Sequence, residues 1–433
     1  MAGSSPVVGD GLELISTLPA GALHHVFDYL GPRDLCAVGA TCRGWHLLQG
    51  DAAANQAWSA FYEKRWAAPA GVLVAGVTWQ ARYGRKLRTQ AAYGGRARAD
   101  NLFGHRAGVR CLGLLPGRNL LVTGSADKTV RLWSLDAGMP LATSRCHSGT
   151  VRALALDEHL LVSASNLDGA LRVWRAEAAD AGVLFDLQRA TRLYGHQGPV
   201  TTVAVDETCI YSGSWDYSVR MWSRSRLTET ALLSYDDWVW SVCPRVPHLL
   251  VAAGSLAVVH DLGTGRILRR YVSCARAALH SPRVEGTRDG RLLFCGNAEG
   301  AVLAYDLRIP SEAPAASLWT GGAIVHALSF DDPYLAAALG DGSLALVNVD
   351  QAMRGGRGSS PRGGGGGGGG PAARQFPGSG RPAYCVELRD QWMASGGESE
   401  VVRCFDFTGA MEAAERAQAG RAARNAAAAE GQQ

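Results

Sequence analysis

The chain has 433 residues, 47% of them hydrophobic and 19% charged, with a formal net charge of +4 at pH 7. That length admits one large domain and a smaller one, and that balance predicts a mostly folded chain. So small a charge does not by itself imply nucleic acid or an acidic membrane as a partner. The ten cysteines are scattered, without a CxxC pair or metal-ligand spacing, so no metal site or cofactor is expected. Cys111, Cys295 and Cys404 stand in predicted strands, where a reduced thiol acts as a small hydrophobe. Residues 1–11, MAGSSPVVGDG, lack the regions of a signal peptide and read as a disordered N-terminus. No run of about 18 apolar residues appears, so no membrane span is expected and the chain reads as cytoplasmic or nuclear.

The first folded module is predicted over residues 12–50. Leu23, Val26, Phe27 and Leu30 fall at helical spacing after Pro19, which suits a first turn, and Gly31-Pro32 ends the helix. Asp34 then caps a second short helix carrying Leu35 and Val38, and a third carries Arg43, Trp45 and Leu48. Helices this short bury little surface alone and need a partner or a neighbouring segment. Leu18-Pro19, the spaced apolar residues, Pro32, Asp34-Leu35, Val38, Cys42-Arg43 and Trp45 together resemble the F-box, nearly anchor for anchor. The resemblance implies docking on a Skp-type adaptor, and through it on a cullin ligase core. Leu18, Pro19, Leu23, Val26, Phe27, Leu30, Pro32, Leu35, Val38 and Trp45 would form the adaptor-binding surface.

Residues 51–98 follow as a linker, with a helical stretch around Trp58, Phe61, Tyr62 and Trp66. From Arg82 to Arg98 there are six basic residues and no acidic one. That run reads either as a solvated linker face or as a weak nuclear or nucleic-acid contact, the first being the plainer reading.

From about residue 99 a unit of ~40–45 residues recurs. Its closing positions are read at Trp133, Trp174, Trp222, His260, Tyr305, Asn348 and Phe405. Within a unit, strand-like runs such as Leu121-Val122-Thr123 and Val130-Arg131-Leu132-Trp133 are joined by an acidic turn, here Ala126-Asp127-Lys128. One gap is long because it holds Arg354–Pro371 with an unbroken Gly363–Gly370, so residues 354–380 are expected to be a disordered insertion. The Ala-rich residues 409–433 are expected to be a frayed helix or disordered tail.

Residues 99–408 resemble the WD-repeat family, most clearly in the three units opened by His105, His147 and His196. The resemblance implies an all-β seven-bladed propeller, preceded here by the small all-α F-box module. Ring closure would use a strand from about 97–103. It also implies a structural hydrogen-bonded set in each blade: His105, Thr123, Asp127 and Trp133 in the first, and His196, Ser212, Asp216 and Trp222 in the third. His147, Ser163 and Trp174 fit the second, whose turn carries one residue more and leaves the role of Asp168 open.

Family alignment further places one residue per blade on the top face: Arg110, Arg152, Thr201, Trp240, Arg276, His326 and Tyr384. Trp215 comes from a second set, with Trp238 close by in sequence. Arginines and aromatics are the types enriched in binding hot spots, and three arginines at one channel would hold an acidic or phosphorylated group. The expected function is therefore that of a non-catalytic substrate receptor, holding a protein target for ubiquitination. The alternatives are a non-ligase interaction scaffold, a nucleic-acid-binding propeller, and, least supported, an enzyme. No nucleotide loop, nucleophile elbow or metal motif is present to support the last.

Overall fold

Short apolar runs ending in tight turns cannot bury a face alone, and in this chain they associate four at a time. The computed structural model describes residues 93–413 apart from 94, 177–184, 246, 273–282, 287–291, 310, 312, 356–372 and 379, together with 58–60, 78–80, 83–84 and 416. The chain divides into two units, Met1–Leu87 and Arg88–Gln433.

In the first unit, residues 58–60, 79–80 and 83–84 are helical, and Trp58, Trp79 and Tyr83 are buried. The Trp58 and Tyr83 rings meet at 5.3 Å. The expected adaptor-binding residues, Leu18 through Trp45, lie outside the described residues, as do Phe61, Tyr62 and Trp66.

The second unit is a seven-bladed all-β propeller of four-stranded antiparallel sheets. In the first blade the strands run from the inside outward as β2 (Val109–Leu115), β3 (Leu120–Ser125), β4 (Val130–Ser134) and β5 (Met139–Thr143). The inner strands of the other six blades are β6 (Val151–Leu156), β10 (Val200–Val205), β14 (Val239–Arg245), β18 (Arg283–Gly286), β22 (Val325–Asp331) and β26 (Ala383–Arg389). The ring is closed by β1 (Arg98–Leu102), which pairs antiparallel with β28 (Val402–Asp406) as the outer strand of blade seven. Closure protects sheet edges that would otherwise template aggregation.

The core lies between blades. Val109, Leu114, Leu121 and Trp133 of blade one interlock with Leu102, Trp392, Ala394, Val402 and Cys404 of blade seven at the seam between them. Blades approach so closely that a Cβ on Gly124, Gly213, Gly296 or Gly396 would stand 2.5–2.6 Å from a valine of the next blade. Ala occupies the matching place in the remaining blades, at Ala164, Ala252 and Ala338.

Three expectations change in detail. In blade six, Val347 rather than Asn348 matches Trp133, because Val347 faces Leu335 as Trp133 faces Leu121. Residues 354–380 are not one disordered insertion. A helix, α1 (Val349–Gly355), runs into their start, and Ala373–Phe376 forms the outer strand of blade six, recruited by the exposed edge of Leu344–Asn348. At the C-terminal end, residues 408–413 begin as a helix, and Met411 packs into the blade-seven core.

Candidate ligand-binding face

In blades one and three a hydrogen-bonded set holds the hairpin turn against its blade. In blade one, Asp127 Oδ2 lies 2.7 Å from His105 Nδ1, and His105 Nε2 lies 2.7 Å from Thr123 Oγ1. The Trp133 indole N–H donates to the same Thr123 oxygen at 2.8 Å. With the proton on Nδ1, every one of these buried groups is satisfied. Burial opposes the charged Asp127 carboxylate. Hydrogen bonds from His105, Thr129 and the Arg106 N–H outweigh it and hold the carboxyl far below its usual range. Blade three repeats the pattern with His196, Ser212, Asp216 and Trp222.

Blade two, whose turn is one residue longer, departs from it. His147 Nε2 meets Ser163 at 3.0 Å, but Asp168 accepts from Ser148 and Ser165 instead of His147. His147 Nδ1 and the Trp174 indole N–H are left without partners. Burial, reinforced by the Arg172 guanidinium, pushes the His147 imidazole down to about 3. Blade four has no such set: His260 stands where Trp133 stands in blade one, 2.7 Å from the Tyr235 hydroxyl. No sequence signal pointed to that pair.

The turns braced in this way share one end of the propeller with the start of every inner strand. Arg110, Arg152, Thr201, Trp240, His326 and Tyr384 are each the second residue of an inner strand. At each of them the ladder slips by one residue, a β-bulge. A bulged residue is freed from strict alternation and can be re-aimed, here into the central channel. All six line one cavity of about 520 Å³, together with Trp215. Arg276 lies outside the described residues.

Among the described residues two arginines stand at the mouth, each backed by an aromatic ring. The Arg110 guanidinium lies 4.0 Å from the Tyr384 centroid, and that of Arg152 lies 5.0 Å from Trp215. Burial, and then the neighbouring Arg110 charge, lower the Arg152 value. No described lining residue is a carboxylate. The buried Arg110 Nε and the Trp215 indole nitrogen have no hydrogen-bond partner. The mouth therefore presents positive charge with no carboxylate among its described lining residues, a surface suited to an oxyanion. Thr201 differs, donating to the Gly213 and Val239 carbonyls and so bracing the wall.

Trp215, Trp238 and Trp240 form a cluster with centroids 5.3–5.8 Å apart. Trp238 is half-exposed and does not itself line the cavity. His326 packs on Tyr384 at 5.2 Å on the opposite side. Among the described residues, no group of three or more His, Cys, Asp or Glu is arranged to hold a metal, and no helix is long and apolar enough to cross a membrane.

Comparisons with known proteins agree with this architecture. The profile of the F-box-like family matches residues 15–53, and that of the WD domain, G-beta repeat, matches 98–134, 138–175 and 187–223. An F-box/WD-40 repeat-containing protein of Arabidopsis thaliana is 31% identical over 94% of this chain and 77% of its own length. The sterol regulatory element-binding protein cleavage-activating protein of Xenopus laevis is 29% identical over 38% of the chain and 12% of its own length. The ribosome biogenesis protein YTM1 of Eremothecium gossypii is 34% identical over 28% of each. Matched from its F-box-like segment through its repeats, the chain belongs to the F-box/WD-40 repeat family.

Proposed function

We propose that the chain is the substrate-recognition subunit of a Skp–cullin–F-box ubiquitin ligase, acting in the cytoplasm or nucleus. Its F-box docks on the Skp-type adaptor, while the propeller mouth holds a target protein. The chain performs no bond chemistry; it keeps acceptor lysines of the target near a charged ubiquitin-conjugating enzyme and so raises their effective concentration. The observation that carries this reading is the union in one chain of an F-box-like segment with a channel mouth that holds two guanidiniums and no carboxylate among its described lining residues. Such a mouth fits an acidic or phosphorylated segment of a protein.

The test is a pull-down of purified Skp adaptor by the wild-type chain and by a Leu18→Ala, Pro19→Ala double variant. Circular dichroism and a thermal melt first establish that the propeller of each is intact. Capture by the wild type that the variant loses is the expected result. A folded wild type that captures no adaptor would leave a non-ligase interaction scaffold as the function.

A further inference from the structure

Ser148 does with its side chain what the other histidine blades leave to the backbone. In blades one and three the residue after the histidine, Arg106 or Gln197, gives its backbone N–H to the turn aspartate at 3.1 and 3.0 Å. The same carboxylate oxygen takes the histidine Nδ1 proton at 2.7 Å. The residue after His147 is Ser148, an exposed position, and its hydroxyl donates to Asp168 Oδ2 at 2.5 Å. The other oxygen, Oδ1, is held by the Ser165 hydroxyl at 2.6 Å. Three buried polar atoms of the blade are left over: His147 Nδ1, Trp174 Nε1 and Asn166 Oδ1. The carboxylate oxygen that serves the histidine in blades one and three is thus taken here by a solvent-facing hydroxyl.

Two arginines crowd together beside this loop. Arg172 and Arg192 stand directly opposite each other on the strands Leu171–Arg175 and Thr191–Leu193, an arrangement that like charges oppose. The matching pairs are Arg131 with Thr143 in blade one and Arg220 with Leu232 in blade three, where Arg220 also meets Glu229. The Arg172 guanidinium donates to the Arg145 and Cys146 carbonyls at 3.1 and 3.0 Å, and its buried Nε has no partner. It therefore lies against the backbone that leads into Ser148. Burial, and then the Arg192 charge, lower the Arg172 value, and the Asp168 carboxylate works against both. The loop itself reads Ser144-Arg145-Cys146-His147-Ser148-Gly149, with Arg145 exposed. An arginine three residues before an exposed serine is the pattern that arginine-directed protein kinases read.

We propose that Ser148 is a phosphorylation site for an arginine-directed kinase, and that its phosphorylation hands Asp168 over to His147. The kinase supplies ATP as phosphoryl donor. A bond forms between Ser148 Oγ and the γ-phosphorus, the bond from that phosphorus to the β,γ-bridging oxygen breaks, and ADP leaves with its electron pair. The hydroxyl proton passes to the catalytic carboxylate of the kinase. Phosphoserine carries about −1.5 to −2 charges at pH 7, and Ser148 then has no hydroxyl proton to donate. The new charge repels the Asp168 carboxylate, and the Arg172–Arg192 pair offsets it. Asp168 Oδ2 turns to His147 Nδ1, which completes in blade two the contact already present in blades one and three. Whether the chain binds a Skp-type adaptor has no bearing on this site.

The full chain is incubated with ATP and the catalytic subunit of cyclic-AMP-dependent protein kinase, an arginine-directed enzyme, and the phosphate is located by mass spectrometry. Phosphate on Ser148 of the folded protein is expected, at a rate about tenfold lower in Arg145→Ala. No phosphate there, phosphate only after thermal unfolding, or a rate indifferent to Arg145 overturns the site. Full chain with phosphoserine encoded at position 148 tests the hand-over separately. Its His147 Nδ1 proton resonance, assigned by its loss in His147→Gln, should move downfield into the range of His105 and His196, whose Nδ1 atoms already meet a carboxylate. The melting temperature should rise by about 2 °C over the unmodified chain. In Arg192→Ala that rise should shrink by about half, because one of the two offsetting charges is gone. An unmoved resonance, or an unchanged or lower melting temperature, overturns the hand-over. A rise that survives Arg192→Ala intact overturns the part given to the arginine pair.

Discussion

The guanidinium of Arg110 lies 4.0 Å from the centre of the Tyr384 ring, across the seam where blade one meets blade seven. One contact therefore fixes a side chain of the anion site and links the two blades that close the ring. Tyr384→Leu keeps apolar bulk but removes the ring face and its attraction for the cation, worth about 0.5–2 kcal/mol. The expected result is a lower melting temperature together with weaker binding of acidic peptides. Unchanged binding would mean that Arg110 holds its position without the ring.

Thr123 serves two partners and Ser163 one, so equivalent deletions should differ. Thr123→Val leaves the His105 and Trp133 nitrogens unpaired in a buried site, at about 1–3 kcal/mol each. Ser163→Ala removes only the His147 contact, because the Trp174 indole already lacks a partner. Urea denaturation should show about twice the loss for Thr123→Val. Equal losses would contradict the blade-two geometry.

Acid should act on blade two in one window and on blades one and three in another. His147 titrates near 3 when folded, against about 6.5 in an unfolded chain. The unfolded state thus binds the proton more readily. The contribution of neutral, buried His147 is complete above about pH 6.5 and is lost as pH falls toward 3, at up to about 1.4 kcal/mol per pH unit. Asp127 and Asp216 are shifted downward, so their contribution is present above the unfolded value of about 3.9 and declines only below it. A His147→Gln variant should flatten the urea midpoint between pH 6.5 and 4 and leave the decline below pH 4 in place.

Removing the closing strand should be far worse than removing the segment before it. A chain beginning at Arg88 keeps Arg98–Leu102 on the edge of Val402–Asp406. It also keeps Tyr93, which is buried between Tyr334 and Phe407 at 5.1 and 4.9 Å. A chain beginning at Phe103 loses both and exposes a strand edge. Size-exclusion chromatography should find the longer form monomeric and the shorter one aggregated.

The repeat period, the turn aspartates and the alternating apolar runs were legible because they act locally. Hydrophobic spacing and turn chemistry determine a hairpin within a few residues, and Trp133, Trp174 and Trp222 mark the repeats that follow from it. The closing strand was legible too, since seven units require a partner for the last sheet. The Tyr93 anchor and the Tyr235–His260 pair carried no signal, because each joins residues whose proximity the ring alone creates.

The same division runs through the candidate site. The resemblance to the WD-repeat family was enough to align Arg110, Arg152, Trp240, His326 and Tyr384 at equivalent places in their blades, where the structure has each as the second residue of an inner strand. The blade-five position, Arg276, lies outside the described residues. Only the tertiary structure decided that a bulge re-aims each ring residue into the channel, and that Arg110 is backed by Tyr384 and Arg152 by Trp215. The physical reason is that a period fixes order along the chain, whereas charge, stacking and exposure depend on which blades are neighbours in the closed ring.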